Sequence, residues 1–293
     1  MRKFPDSAHK LVEEQTVRAE QIIDPGLIDD ADLFRVHTRE YVQSIRTGEF
    51  NAITKQKLGL PPSPELSLRS HCAVSGTLHA ARAALIDGIA CNLAGGTHHS
   101  FADRGEGFCV FNDVAVAIRA LQQDEPYVHC MVVDLDAHQG NGTNDIFRSD
   151  PHVYTFSMHV GRNYPSTKVP GSQDVELPRF VSGEEFLDRL YATLPTAVER
   201  FEPDIIFYIA GVDVHVDDRF GQMCLSTNQM RQRDAWTIDL CRGWQIPTVV
   251  LYGGGYNKVE GMTTELHCQT ERVAAARFEL EHYRTLGEPI LSI

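Results

Sequence analysis

Five short polar stretches carry the residues able to do chemistry, and each sits where a hydrophobic run ends. They are NLAGGTHHS (92–100), VVDLDAHQGNG (132–142), TFSMH (155–159), YIAGVDVH (208–215) and LYGGGY (251–256). Asp134, Asp136 and His138 are spaced i, i+2, i+4, which on an extended segment turns all three side chains to one side. Carboxylate and imidazole are suitable donors for zinc, and Asp213, at the end of a later apolar run, supplies a third protein ligand beside Asp136 and His138. Three protein ligands leave a fourth position for water, the mark of a catalytic site. The bland alternative makes Asp134 or Asp136 the cap of a helix opening near Gly142–Asp145.

His98 and His99 follow Gly95 and Gly96, whose lack of side chains lets backbone approach a ligand closely. Adjacent loop histidines are often only solvated; beside a metal they become a general base and an electrostatic partner for attacking water. Each then needs an orienting group on its far nitrogen, and Asp134 and Asn141 are the candidates. Tyr256, behind Gly253–Gly255, either polarises a substrate carbonyl or packs on a neighbouring helix. Together these residues make the inventory of a single-metal amidohydrolase.

The elements that must position them are short apolar runs: Ile89–Leu93, Val128–Val133, Val153–Phe156, Ile205–Ile209 and Thr248–Tyr252. They do not alternate polar with apolar, so they read as strands buried on both faces of a parallel sheet. Helical periodicity marks Leu68–Ile86, Val114–Gln122, Glu184–Phe201 and Gln229–Trp244, and Ser226 with Gln229 forms a capping box. The alternation implies a three-layer α/β/α sandwich around a mostly parallel sheet. In such a sheet every strand ends on one rim, so the five polar stretches converge there.

The chain of 293 residues is 42% hydrophobic, contains no linker or repeat, and reads as one domain over 1–293. No apolar run reaches membrane-spanning length, and the opening MRKFPDSAHKLVEE lacks the apolar core of a signal peptide. Seven scattered cysteines without a Cys-x-x-Cys pair fit a reducing compartment, hence a cytoplasmic protein. A net charge of −13 speaks against nucleic acid and suits cationic substrates such as lysine side chains or polyamines. Neither membrane nor nucleic acid is an expected partner.

The segments GGTHHSFADRGEGFCVFNDVAVA (95–117), DLDAHQGNG (134–142) and GVDVHVDDRFG (211–221) resemble the zinc-dependent histone deacetylase superfamily, which shares its fold with arginase. The likeness runs from about Val36 to Val273 and is greatest to bacterial and class IV members. It implies Zn2+ on Asp136, His138 and Asp213, with Fe2+ as the alternative ion, tandem histidines His98 and His99 with His99 the proton shuttle, and Tyr256 as the transition-state tyrosine. It pairs Asp134 with His98 and places a structural K+ among Asp134, Asp136, His138, Ser157 and Met158. Gly107, Phe108 and Tyr164 match the walls of a tunnel for an acylated lysine.

The resemblance has two departures. Asn141 stands where many members carry an aspartate, a trait shared with class IV, and should leave His99 with a lower pKa. The family usually begins with an extra strand and loop before the segment that MRKFPDSAHKLVEE resembles, so the resemblance implies a domain without that first strand. The two-metal arginase site is disfavoured because Gly140 and His215 occupy positions that would need aspartates. The activity implied is hydrolysis of an N-acyl amide, most simply Nε-acetyl-lysine on proteins. The alternatives are small acylated amines such as acetylpolyamines and, from another class, a catalytically silent acyl-lysine binder.

Overall fold

A computed structural model describes residues 3–285, with side chains to Phe278. Its centre is a six-stranded parallel sheet in the order β1-β8-β6-β2-β3-β4. These strands are β1 Ile89–Asn92, β2 Cys130–Asp134, β3 Val153–Val160, β4 Gln173–Leu177, β6 Ile205–Ile209 and β8 Thr248–Leu251. A separate two-stranded parallel ribbon joins β5 Val181–Ser182 to β7 Met223–Cys224.

Strands without polar alternation are buried on both faces, and two apolar cores explain why. Met131, Val133, Ile206 and Tyr208 point into one core. It also contains residues of α8 (Gly183–Phe201), α9 (Thr227–Gly243) and α10 (Met262–Thr285). Cys130, Val132, Ile205, Phe207 and Ile209 point into the other, with α5 (Pro64–Asp87) and α6 (Asp113–Asp124). Helices α1 (Lys3–Glu13), α2 (Asp30–Leu33), α3 (Arg39–Thr47) and α4 (Ala52–Lys57) precede α5, and α7 (Asn141–Phe147) follows β2. The expected capping box opens α9: Ser226 Oγ accepts from Gln229 N, and the Gln229 side chain accepts from Ser226 N. Among the described residues no helix is long and apolar enough to cross a membrane.

Two local expectations are corrected. The stretch TFSMH does not follow a strand but lies inside β3, which runs on to Val160 because its second half pairs with β4. The strand carrying Asp134 stops at that residue, so Asp136 and His138 are not on an extended segment. Tight turns replace it: Asp134 Oδ1 accepts from Asp136 N at 3.1 Å, and Asp136 Oδ1 from His138 N at 3.0 Å. Neither aspartate caps α7, whose N-cap is Gly140 with no side-chain cap bond.

Candidate active site

The C-terminal rim of the sheet gathers the loops after β1, β2, β6 and β8. Among the described residues Asp136, His138 and Asp213 form a group whose ligand atoms all lie within 4.8 Å of one another, and all three are buried. Further backbone donors seat the carboxylates: Gly254 N reaches Asp136 Oδ2 at 2.7 Å and Ala137 N reaches Asp213 Oδ1 at 2.9 Å. The remaining oxygens face His138, whose Nδ1 is 3.2 Å from Asp136 Oδ1 and 2.9 Å from Asp213 Oδ2.

His138 Nε2 lies 3.3 Å from the Phe220 carbonyl, an acceptor that favours hydrogen on Nε2 and a bare Nδ1. In that form three acceptors converge, an arrangement that calls for a cation between them. The electrostatics show carboxylates in want of positive charge. Burial and the neighbouring Asp136 push Asp213 up to about 7. Against burial, Asp136 and Asp213 raise His138 well above its ordinary value, so that without a metal a proton on His138 supplies that charge. The donor set therefore fits a divalent metal ion. Gly254 is required here, because a Cβ would come within 2.3 Å of Asp213 Oδ2.

The tandem histidines flank this group with rings 4.0 Å apart, and each has the expected partner. His98 Nδ1 is 2.6 Å from Asp134 Oδ2, and His99 Nδ1 is 2.8 Å from Asn141 Oδ1. Burial opposes charge on both rings. At His98 the carboxylates of Asp134 and Asp136 outweigh it and hold the pKa up at about 9. At His99 burial is reinforced by His98 and His138, and the pKa falls well below its ordinary value.

Tyr256 comes to the same rim with its ring between Phe108 at 5.7 Å and Phe220 at 5.2 Å. Burial, with Cys109 and the nearby carboxylates, raises its pKa well above the ordinary phenol value, so it remains a donor. Tyr164 stands edge-on to His99 at 4.9 Å, with its ring against Gly107. Gly107 and Phe108 both have positive φ, and a Cβ on Gly107 would come within 2.6 Å of His99. The structure thus brings His98, His99, Asp134, Asp136, His138, Asn141, Asp213, Tyr164, Phe108 and Tyr256 to one place. Ser157 pairs in register with Asp134 on the adjoining strand and contacts His159 Nδ1 at 2.9 Å; Met158 follows it.

Sequence reading missed four contributors. Asp218 fastens the tyrosine loop, accepting from Tyr256 N at 2.6 Å and from Phe220 N at 2.8 Å. Lys3 of α1 approaches from behind: its Nζ is 3.3 Å from Gly253 O and 6.0 Å from the Tyr256 ring. Burial lowers its pKa to about 8, against the pull of Asp213 and Asp136. Fully buried Arg233 donates to Gly211 O at 2.7 Å and Leu135 O at 3.3 Å, bracing both ligand loops from below. Its charge is balanced by Asp234, which also accepts from Tyr208 Oη and Thr270 Oγ1. The fourth is Glu106, buried beside Asn141 and Tyr164. Asp218 and Glu106 lay within quoted motifs, but no local pattern marks either as part of the site.

The profile of the histone deacetylase domain matches residues 3–271. An uncharacterized protein of Picosynechococcus sp. (strain PCC 7002) is 40% identical over 248 residues, covering 85% of this chain and 83% of its own. Histone deacetylase 2 of Arabidopsis thaliana is 30% identical over 257 residues (85% and 66%). The acetoin utilization protein AcuC of Staphylococcus aureus (strain MSSA476) is 28% identical over 273 residues (84% and 69%). Among solved structures, the HDA15 HD domain superposes with a TM-score of 0.76 at 21% identity, covering 96% of this chain and 87% of that one. An HDAC homologue crystallised with SAHA gives 0.76 at 22% (99% and 77%). These likenesses carry the arginase/deacetylase fold. The chain belongs to the histone deacetylase family and is a hydrolase of the deacetylase type.

Proposed function

We propose that this protein is a zinc-dependent deacylase that hydrolyses N-acyl lysine amides, Nε-acetyl-lysine in the simplest case, and that it acts as a single cytoplasmic domain. The observation that carries the reading is the convergence of a buried Asp136–His138–Asp213 group with two histidines of opposite pKa and a phenol. Zinc on those three ligands, or Fe2+ in its place, would supply Lewis acidity toward the acyl carbonyl and the attacking water. The chain's own groups do the rest. His99, with hydrogen on Nδ1 facing Asn141, keeps Nε2 free to take the water's proton and return it to the leaving amine. Tyr256 donates a hydrogen bond to the acyl oxygen as negative charge gathers there. His98, held cationic by Asp134, stabilises that charge without moving its own proton. Phe108, Gly107 and Tyr164 line the path of the aliphatic stem. Asp134, Asp136, His138, Ser157 and Met158 would hold a structural K+ beneath.

A second reading, deacetylation of a small acylated amine, draws on the net charge of −13 and the carboxylate of Glu106 behind the tunnel wall. The deciding experiment is turnover by zinc-loaded protein on acetyl- to myristoyl-lysine peptides, acetylputrescine and acetylspermidine. Peptide turnover with little on the polyamines is expected, and a polyamine preference would install the second reading. Asp213→Ala should lose both metal and activity. Tyr256→Phe should keep the metal and lose about 10²–10³-fold in kcat. Substantial turnover by Asp213→Ala would sink the scheme.

A further inference from the structure

An imidazole can accept a proton on Nε2 only while its hydrogen sits on Nδ1. At His99, Nδ1 meets a carboxamide, which is an acceptor at one end and a donor at the other. With Asn141 Oδ1 at 2.8 Å, Nδ1–H has its acceptor. Turned by half a rotation, the same side chain would present NH2, favour hydrogen on Nε2 and disable the base. Glu106 decides between the two. Its Oε1 lies 3.3 Å from Asn141 Nδ2, and a carboxylate accepts hydrogen bonds but donates none. Its other partners are donors too: Tyr164 Oη at 3.1 Å on Oε1, and Lys57 Nζ at 3.0 Å and Arg104 Nε at 3.9 Å on Oε2. Glu106 is only 4% exposed, and paired backbone bonds with Cys109 at 3.1 and 2.9 Å fix where it stands.

We propose that Glu106 is a positioning residue for deacylation: it sets the orientation of the Asn141 carboxamide and, through it, the Nδ1–H tautomer of His99. The inference rests on the reading of His99 as the proton-transfer group. Its chemical consequence is specific to an amide at position 141. A carboxylate there would accept from His99 in either orientation and would need no support from Glu106.

The test combines a spectrum with a mutant cycle. In zinc-loaded, 15N-histidine-labelled protein, the His99 ring shifts report which nitrogen carries hydrogen. Wild type should show Nδ1–H, and Glu106→Ala should show a mixture or the Nε2–H form. In kcat, Glu106→Ala should cost roughly tenfold or more with Asn141 present, because a wrong tautomer disables a base. The same change should cost less than about twofold in the Asn141→Asp background. Glu106→Gln, of nearly equal shape, runs through the same cycle should Glu106→Ala fail to fold. Unchanged His99 shifts, equal costs in the two backgrounds, or an effect confined to KM as from loss of the Tyr164 wall, would each overturn the proposal. Full turnover by His99→Ala would instead remove the mechanism beneath it, which separates the two failures.

Discussion

His98 and His99 are consecutive residues with rings 4.0 Å apart, yet they stand in opposite electrostatic worlds. The His98 arm is short and closed: one bond to Asp134, buried on all sides, with a pKa held at about 9. The His99 arm is long and runs outward, through Asn141 to Glu106 and on to the half-exposed Lys57. It places no anion in contact with the ring, and the pKa falls well below the ordinary value. Burial penalises charge on both rings, so the difference comes from their neighbours: Asp134 and Asp136 favour the cation at His98, whereas His98 and His138 oppose it at His99, where Nδ1 meets only an amide. A carboxylate makes a fixed cation, and an amide makes a base.

The comparison breaks most readily in turnover. His99→Ala should lower kcat by about 10²–10⁴-fold, the span for a lost general base, with metal content unchanged. His98→Ala should cost at least about tenfold less, because it removes stabilisation but no proton transfer. Equal losses would mean that the two rings share one task. A smaller effect sharpens the contrast. Asn141→Asp gives His99 the kind of partner His98 has and raises its pKa, so the acidic limb of kcat/KM should move to higher pH by about one to two units. A limb that stays in place would show that another group governs it.

The smallest expected effect lies in the stability of metal-free protein. Charged His98 contributes stability that is present below pH 6.5 and is lost as pH rises through about 9. His99 behaves the other way, contributing above pH 6.5 and losing ground as pH falls toward its depressed value. Urea midpoints should show the wild-type margin over His98→Asn narrowing from pH 6.5 to about 9. The margin over His99→Asn should narrow instead as pH drops below 6.5. Parallel slopes for the two variants would count against the assignment.

The site was legible where chemistry and position coincide in short spans. Asp134, Asp136 and His138 fall within five residues, His98 and His99 are adjacent, and uniformly apolar strands say which rim they reach. Strand β4 was missed because QDVEL is polar and half exposed at the sheet edge, leaving no apolar run to read. Arg233, Lys3 and Glu106 were missed for a different reason. Arg233 meets Leu135 across 98 residues and Lys3 meets Gly253 across 250, distances at which no periodicity or spacing connects the partners. Asn141 was named as a partner of His99, but the anion behind it is visible only once α4, the Gly107 turn and α7 are packed together.

The strand order has a consequence for biosynthesis. β1 lies beside β8, so the earliest strand of the sheet waits for the latest one. Asp136 waits likewise for Gly254 N, 118 residues downstream, and the ligand loops wait for the brace from α9. Contacts this distant in sequence form slowly, because loops must close before they are rewarded. A ribosome-bound chain lacking its last quarter would carry the acidic ligands without Gly254 N, which seats Asp136, and without the Arg233 brace. Tight metal capture thus belongs to the finished chain, and metal affinity becomes a gauge of complete folding.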